Sequence, residues 1–340
     1  MTRKKNRPST SKIRMQDVAQ KAGFSAITVS RAIKSPNKVS SPTKEKIEQA
    51  MIALGYVPNL IASGLASNHY STIAIVVPFI RDGIFSDTVQ GINDAAQKEN
   101  ISVLLGSSGA CMEEEERIVK HLLGHKPAGI VLHGGTHTDN TRTLLRQSAV
   151  PTVEVGVFPD EPIDMVVGYS NVSAAHRMTQ ILSNRGCQKI AIVSADTVVH
   201  DRADQRVQGY RRALSAASLQ YDPRLHIRCE FGMTEGRQAL IELLNRDRSL
   251  DGVFCTSDIW AAGMIFECHR KGISIPKDIA ICGFNNQEIA QEIVPSLTTV
   301  QVNRYEMGVS AAKSILARRS GNEPKNVIDV GYQIKKRESA

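Results

Sequence analysis

Met15-Gln16-Asp17-Val18-Ala19-Gln20-Lys21-Ala22-Gly23-Phe24-Ser25-Ala26-Ile27-Thr28-Val29-Ser30-Arg31 is the stretch that decides how this 340-residue chain is organised. Val18, Ala19 and Ala22 recur at helical spacing, and Gly23 follows them as a left-handed helix terminator would. Ser25 then offers a side-chain oxygen to cap a second helix, predicted over Ala26 to Ile33. Helix, glycine-centred turn and helix make a helix-turn-helix. Ser40 or Ser41 opens a third helix, with Pro42 suited to its first position. Ile47, Ala50, Met51 and Leu54 give it an apolar face, and Gly55 ends it. That face can close one small core with Val18, Ala22, Val29 and Ile33.

The charge supports a nucleic-acid role for this module. Residues 1–72 hold 12 Lys and Arg against 3 Asp and Glu, while the rest of the chain holds 30 basic and 31 acidic residues. The whole net charge of +8 therefore sits at the N-terminal end. A compact basic module on a near-neutral body is the electrostatic footprint of a DNA binder. A solvated basic tail would account for residues 3–14 but not for the helices that follow.

After Tyr70 the pattern changes. Thr72-Ile-Ala-Ile-Val-Val77, Ser102-Val-Leu-Leu105, Gly129-Ile-Val-Leu132, Pro151-Thr-Val-Glu-Val155, Lys189-Ile-Ala-Ile-Val193, Gly252-Val-Phe-Cys255 and Ile279-Ala-Ile-Cys-Gly283 read as buried strands. Amphipathic stretches such as Ser86 to Gln97 and Glu113 to Leu123 lie between them. This alternation predicts an α/β core with parallel sheets. Its length suits two subdomains with a cleft at the carboxyl ends of the strands. The expected domains are a helix-turn-helix headpiece over 1–58, a hinge helix over 59–70, and a ligand-binding and dimerisation core over 71–340. No signal peptide or bilayer-spanning run is evident, so a soluble, cytoplasmic protein with no membrane partner is expected. The six cysteines are scattered without a C-x-x-C pair and read as reduced packing residues rather than disulfides or a zinc site.

The headpiece stretch, together with Thr28-Val-Ser-Arg31 and Gly55-Tyr-Val-Pro-Asn59, resembles the signature of the LacI/GalR family of repressors. The rest of the chain is similar to that family's effector-binding core, which is periplasmic-binding-protein-like and crosses between its two lobes three times. The resemblance implies that the second helix enters the major groove of a pseudo-palindromic, double-stranded DNA operator. Ser25, Ala26, Ile27, Thr28, Ser30 and Arg31 then face the DNA. Arg31 can make a bidentate contact to guanine, whereas Ala26 and Ile27 can only pack, on a thymine methyl for instance. Core packing is the other reading of Ile27. The hydroxyls of Ser25, Thr28 and Ser30 suit phosphate contacts or capping. Asn59, Ala62 and Leu65 lie in the hinge, where the resemblance implies a minor-groove helix with Leu65 as the wedge. A plain linker is the alternative.

For the cleft, Arg206 in Arg206-Val-Gln-Gly-Tyr210 matches the family's ligand-binding arginine, with a surface salt bridge as the other reading. Ser257, Asp258 and Asn285 follow strand ends. Many family members carry Asp where Asn285 stands, so an arginine without that carboxylate favours an anionic ligand. Phe79 and Phe85 can cover the ligand or belong to lobe core. His133 and Glu154 are further candidates, and Trp260 can line the cleft or stabilise a lobe. His133 and His137 sit four apart, but Gly134-Gly135 make this a loop, and no metal or other cofactor is expected.

Pro151-Thr-Val-Glu154, Val167-Gly168, Val253-Phe-Cys-Thr256 and Phe266-Glu-Cys268 most resemble gluconate-utilisation regulators, which implies a gluconate-like sugar acid as effector. The resulting expectation is a homodimeric repressor released from DNA by that ligand, without a tetramerising heptad tail. Corepression by a different ligand, or small-molecule binding without regulation, are the alternatives. An enzyme is not expected, because no nucleophile–base motif, P-loop or G-x-G-x-x-G fingerprint is present.

Overall fold

The computed structural model describes residues 13–58, 72–80, 83–195 and 201–340. It divides into two compact units, Met1–Tyr70 and Ser71–Ala340. The hinge residues Asn59, Ala62 and Leu65 lie outside the described residues.

In the first unit, α1 (Met15–Ala22), α2 (Ala26–Lys34) and α3 (Ser41–Leu54) enclose Val18, Ala19, Val29, Ala32, Ile47 and Ala50. Each helix boundary has a local cause. The Asp17 carboxylate accepts from the backbone N–H of Arg14 at 2.7 Å, which satisfies a free donor at the start of α1. Gly23 sits at φ 73°, a left-handed conformation that only glycine adopts without strain. Ser25 Oγ accepts from Thr28 N at 3.2 Å and caps α2. A short 3-10 turn, Pro36–Lys38, joins α2 to α3, a feature the sequence pattern did not signal.

The second unit holds two six-stranded sheets. The first contains β1 (Thr72–Val77), β2 (Ser102–Ser107), β3 (Gly129–His133), β4 (Thr152–Val155), β5 (Met165–Gly168) and β11 (Val327–Asp329), in the order β11-β5-β4-β3-β1-β2. The second contains β6 (Ile190–Ala195), β7 (His226–Cys229), β8 (Gly252–Cys255), β9 (Ala280–Phe284), β10 (Thr298–Val302) and β12 (Tyr332–Lys335), in the order β12-β10-β9-β8-β6-β7. All pairings are parallel except the edge pair β10–β12, which is antiparallel. Helices cover both faces, which is why β1, β3, β6 and β8 are almost wholly buried and read as continuous apolar runs.

The N-terminal lobe carries α4 (Ser86–Gln97), α5 (Met112–Gly124), α6 (Asp139–Ser148) and α12 (Arg304–Arg319). The C-terminal lobe carries α7 (Asn171–Asn184), α8 (Asp201–Ala216), α9 (Met233–Arg246), α10 (Asp258–Lys271) and the short α11 (Ile289–Glu292). The chain crosses between lobes after β5, after β10 and after β11. Each sheet reverses its strand order, at β1/β3 and at β6/β8, and these reversals place two crevices at the carboxyl ends of the strands. Cys187, Cys255, Cys268 and Cys282 are buried thiols, but Cys111 is exposed, unlike the packing role expected of all six.

Candidate functional site

On α2, Val29 and Ala32 turn into the headpiece core, while Ile27, Ser30 and Arg31, at helical spacing i, i+3 and i+4, share the other face. Ile27 is 72% exposed, which excludes the core-packing reading. A large apolar side chain held in water at a helix start has a physical reason if it packs on another molecule. Arg31 is exposed and forms no ion pair among the described residues. Ala26 behaves differently from the expectation. It packs partly against the headpiece core, so Ile27 alone presents a large apolar surface at this end. The Ser25 and Thr28 hydroxyls are joined to each other at 2.9 Å and serve the cap.

In the second unit, Arg206 on α8 reaches the cleft with its fork held on three neutral acceptors. Nε donates to Asn171 Oδ1 at 3.0 Å, Nη1 to the Thr256 carbonyl at 2.9 Å, and Nη2 to Tyr169 Oη at 3.1 Å. Its guanidinium lies over the Phe284 ring. No carboxylate accepts from it among the described residues, so the salt-bridge reading fails. The acceptors come from three places that the fold draws together: the crossing after β5, the first position of α7, and the end of β8.

Ser257 and Asn285 flank this arginine. Ser257 is 3% exposed, at the start of α10, and its Oγ has no hydrogen-bond partner among the described residues. A buried hydroxyl without a partner costs about 1–3 kcal/mol, which a ligand hydroxyl beside Arg206 would recover. Asn285 follows Phe284 at φ 108°, a conformation asparagine tolerates better than most residues. Its N–H donates to the Val300 carbonyl, and its carbonyl accepts from Arg304 Nη1 at 2.5 Å. Arg304 also grips Asp87 of α4 at 2.8 Å and so links the two lobes.

The N-terminal lobe contributes Phe85 and His133, whose rings meet edge to face at 4.6 Å. Phe85 is 4% exposed, the burial of a lobe-core residue. Phe79 is partly buried directly after β1. His133 takes a hydrogen bond from Nη1 of Arg202, which comes from the opposite lobe. Beside it, Asp201 Oδ2 accepts from Gly135 N at 2.6 Å, and Asn171 Nδ2 donates to the Gly156 carbonyl at 2.9 Å. The lobes are thus joined directly around the cleft.

Three expected cleft residues do other work. Glu154 is fully buried, accepts from Ile163 N at 2.6 Å, and faces His137 Nε2 at 3.5 Å inside its lobe. Asp258 is also fully buried. Its oxygens hold Thr299 Oγ1 at 2.5 Å and Gln287 N at 2.7 Å, tying α10 to the loops around β9 and β10. Burial raises its pKa to about 6, against the opposing pull of those hydrogen bonds. Trp260 is 2% exposed, sits edge to face on Phe231, and donates to the Glu230 carbonyl at 2.9 Å, as a lobe-core residue. Nε1–H needs a buried acceptor, and the chain supplies it internally.

Residues 179–340 match the periplasmic binding protein-like domain, and residues 14–59 match the family of bacterial regulatory proteins, lacI family. The HTH-type transcriptional regulator IdnR of Escherichia coli K12 is 33% identical over 95% of this chain and 97% of its own. The chain belongs to the LacI family. As a LacI-family protein it is a DNA-binding transcriptional repressor. The HTH-type transcriptional regulator GntR of Pseudomonas aeruginosa is 31% identical over 98% of both chains. A solved LacI-family regulator from Silicibacter pomeroyi superposes with a TM-score of 0.90 at 28% identity, covering 96% of this chain and 99% of that one. No helix among the described residues is long and apolar enough to cross a membrane.

Sequence reasoning found Arg206 through the LacI-family motif but passed over Arg202, Asp201, Asn171 and Tyr169. Arg202 stands four residues before Arg206, and that i, i+4 spacing on one helix was the available signal. Tyr169 and Asn171 lie in the crossing after β5, where nothing local announces that the chain leaves one lobe for the other.

Proposed function

We propose that this LacI-family repressor acts as a homodimer on a pseudo-palindromic operator and is released from it by a gluconate-like sugar acid. The observation that carries the ligand class is the charge of the cleft. Arg202 and Arg206 both enter it, and every acceptor on Arg206 is neutral. A guanidinium fork with neutral partners favours a ligand that brings its own carboxylate along with hydroxyls. Ser257 and Asn285 stand ready for the hydroxyls. The relatives named GntR, gluconate regulators by resemblance, agree with this reading.

On the DNA side, Ile27 and Arg31 read base edges, while Ser25, Thr28 and Ser30 position the helix on phosphates. Asn59, Ala62 and Leu65 form a hinge that orders on the minor groove, with Leu65 as the wedge. Ligand binding alters the lobe contacts around Arg304 and Asp201 and thereby the hinge spacing. Coupling of this kind is typically about 1–3 kcal/mol and acts in both directions. The protein works as a binder with no turnover of its ligand and acts where the chromosome is.

The test is binding of the purified protein to DNA fragments upstream of its own gene and its neighbours, with and without D-gluconate. Tight binding that D-gluconate weakens supports the reading. Tight binding indifferent to D-gluconate removes the ligand assignment, and binding with no sequence preference removes the operator assignment.

A further inference from the structure

Arg202 and Arg206 leave the same face of α8, but they hold different things. Arg206 spends its donors on three fixed neutral acceptors. Arg202 is 8% exposed, its guanidinium carbon lies 5.5 Å from the Phe85 ring centroid, and Nη1 donates to His133 Nδ1. Among the described residues its Nη2 makes no hydrogen bond. The nearest carboxylate, Asp201, stands 3.8 Å from Nε, and its oxygens already accept from Gly135 N and from Arg202's own backbone N–H, each at 2.6 Å.

A buried guanidinium is costly unless an anion is paired with it and its donors are used. Here the one adjacent carboxylate, Asp201, lies 3.8 Å from Nε with its oxygens already engaged by backbone donors. The next charge along this face of the helix is a second cation, Arg206, and the acceptor on Nη1 is an imidazole nitrogen. A narrow pocket lined by Pro78, Ser108, Glu115, His133, Asp201 and Arg202 opens beside this guanidinium, and the Glu115 carboxylate in it is already paired with His137 Nδ1 at 2.6 Å. Burial pushes the Arg202 pKa down, opposed by the Asp201 charge and helped by Arg206.

We propose that Arg202 is the residue that reads the effector's carboxylate, giving up the His133 imidazole to take it. This inference rests on the sugar-acid reading above and assigns the acid group within it. His133 ends β3 in the N-terminal lobe, and Arg202 opens α8 in the C-terminal lobe. The exchange therefore replaces a lobe-to-lobe contact by a lobe-to-ligand contact, so that the acid group, and not the hydroxyls, changes how the lobes are held.

Calorimetric titration of the full-length protein with D-gluconate and with D-glucitol, which has CH2OH in place of the carboxylate, tests it. The wild type should prefer D-gluconate by at least tenfold. Arg202→Gln should lose that preference with D-glucitol binding unchanged, and Arg202→Lys should keep part of it. His133→Ala, which removes the competing acceptor, should tighten D-gluconate binding severalfold. An Arg202→Gln protein that keeps the full preference, or that loses both ligands equally, overturns the inference and leaves the sugar-acid reading standing. A His133→Ala protein with unchanged or weaker D-gluconate binding overturns the exchange. A wild type with no preference for D-gluconate overturns the sugar-acid reading, and this inference with it.

Discussion

The guanidinium carbon of Arg206 lies 3.8 Å from the ring centroid of Phe284, which is itself fully buried. This stacking, with the three hydrogen bonds on its fork, fixes a cation in the cleft before any ligand arrives. A preorganised donor set of this kind avoids the entropy of ordering a long side chain on binding. Arg206→Lys keeps the charge but loses the planar fork and the stack. Charge-assisted hydrogen bonds contribute about 1.5–3 kcal/mol each, so D-gluconate affinity should fall roughly ten- to hundredfold. Operator affinity without ligand should not change. Titration calorimetry and DNA binding on the same preparation check both halves, and equal losses in the two would count against a ligand role.

Ile27 and Val29 sit two residues apart on α2 and should respond oppositely. Val29 is fully buried, and Ile27 is 72% exposed. Val29→Ala should cost on the order of 2 kcal/mol of headpiece stability through lost burial and a cavity. Ile27→Ser should leave the unfolding midpoint nearly unchanged and weaken operator binding through the lost apolar contact. Arg31→Ala should relax preference at one guanine. If it instead weakens binding equally on all sequences, Arg31 contacts only phosphate.

What could be read in advance followed the physics of each signal. The three headpiece helices and the buried strands were legible because capping residues and apolar period act locally. The start of α4 at Ser86 and the whole of β8 fell where the pattern put them. Strands β5, β7, β10, β11 and β12 gave no such signal, since short segments such as Met165–Gly168 and Val327–Asp329 owe their conformation to their neighbours in the sheet. The cleft was half legible. Asp258 and Trp260 follow a strand end in sequence, yet their side chains turn to Thr299 and to the Glu230 carbonyl, and strand-end position does not reveal side-chain direction. Arg202 escaped notice because its partner His133 is 69 residues away on the other lobe.

His137 gives the core a pH signature. It is buried between Glu115 of α5, 2.6 Å from Nδ1, and Glu154 of β4, 3.5 Å from Nε2. Burial pulls its pKa down, but the two carboxylates outweigh this and raise it to about 9. A folded-state pKa above the unfolded value of about 6.5 means the stabilisation is complete below that value. It is lost as pH rises through about 9. The wild-type melting temperature should therefore fall more steeply between pH 7 and pH 10 than that of His137→Gln, which cannot carry the charge. Melting curves that descend in parallel over this range would show that the imidazolium contributes nothing.

Gly209, three residues beyond Arg206, is where α8 meets α7. A Cβ built there would lie 2.2 Å from the Val172 carbonyl oxygen and 2.9 Å from the His176 backbone nitrogen. Backbone atoms cannot swing aside as a side-chain tip can, so Gly209→Ala must push the two helices apart. Overpacking of this kind costs about 1–3 kcal/mol. The shift also separates Arg206 on α8 from Asn171 at the start of α7, a contact now 3.0 Å long. Gly209→Ala should thus lower both the unfolding midpoint and D-gluconate affinity. Gly124, in the last turn of α5, has nothing within 4 Å of its built Cβ. Gly124→Ala should be neutral or stabilising by up to about 1 kcal/mol, because alanine loses less backbone freedom on folding. If the two variants melt alike and bind D-gluconate alike, the close approach of α7 and α8 is not what holds Arg206 in place.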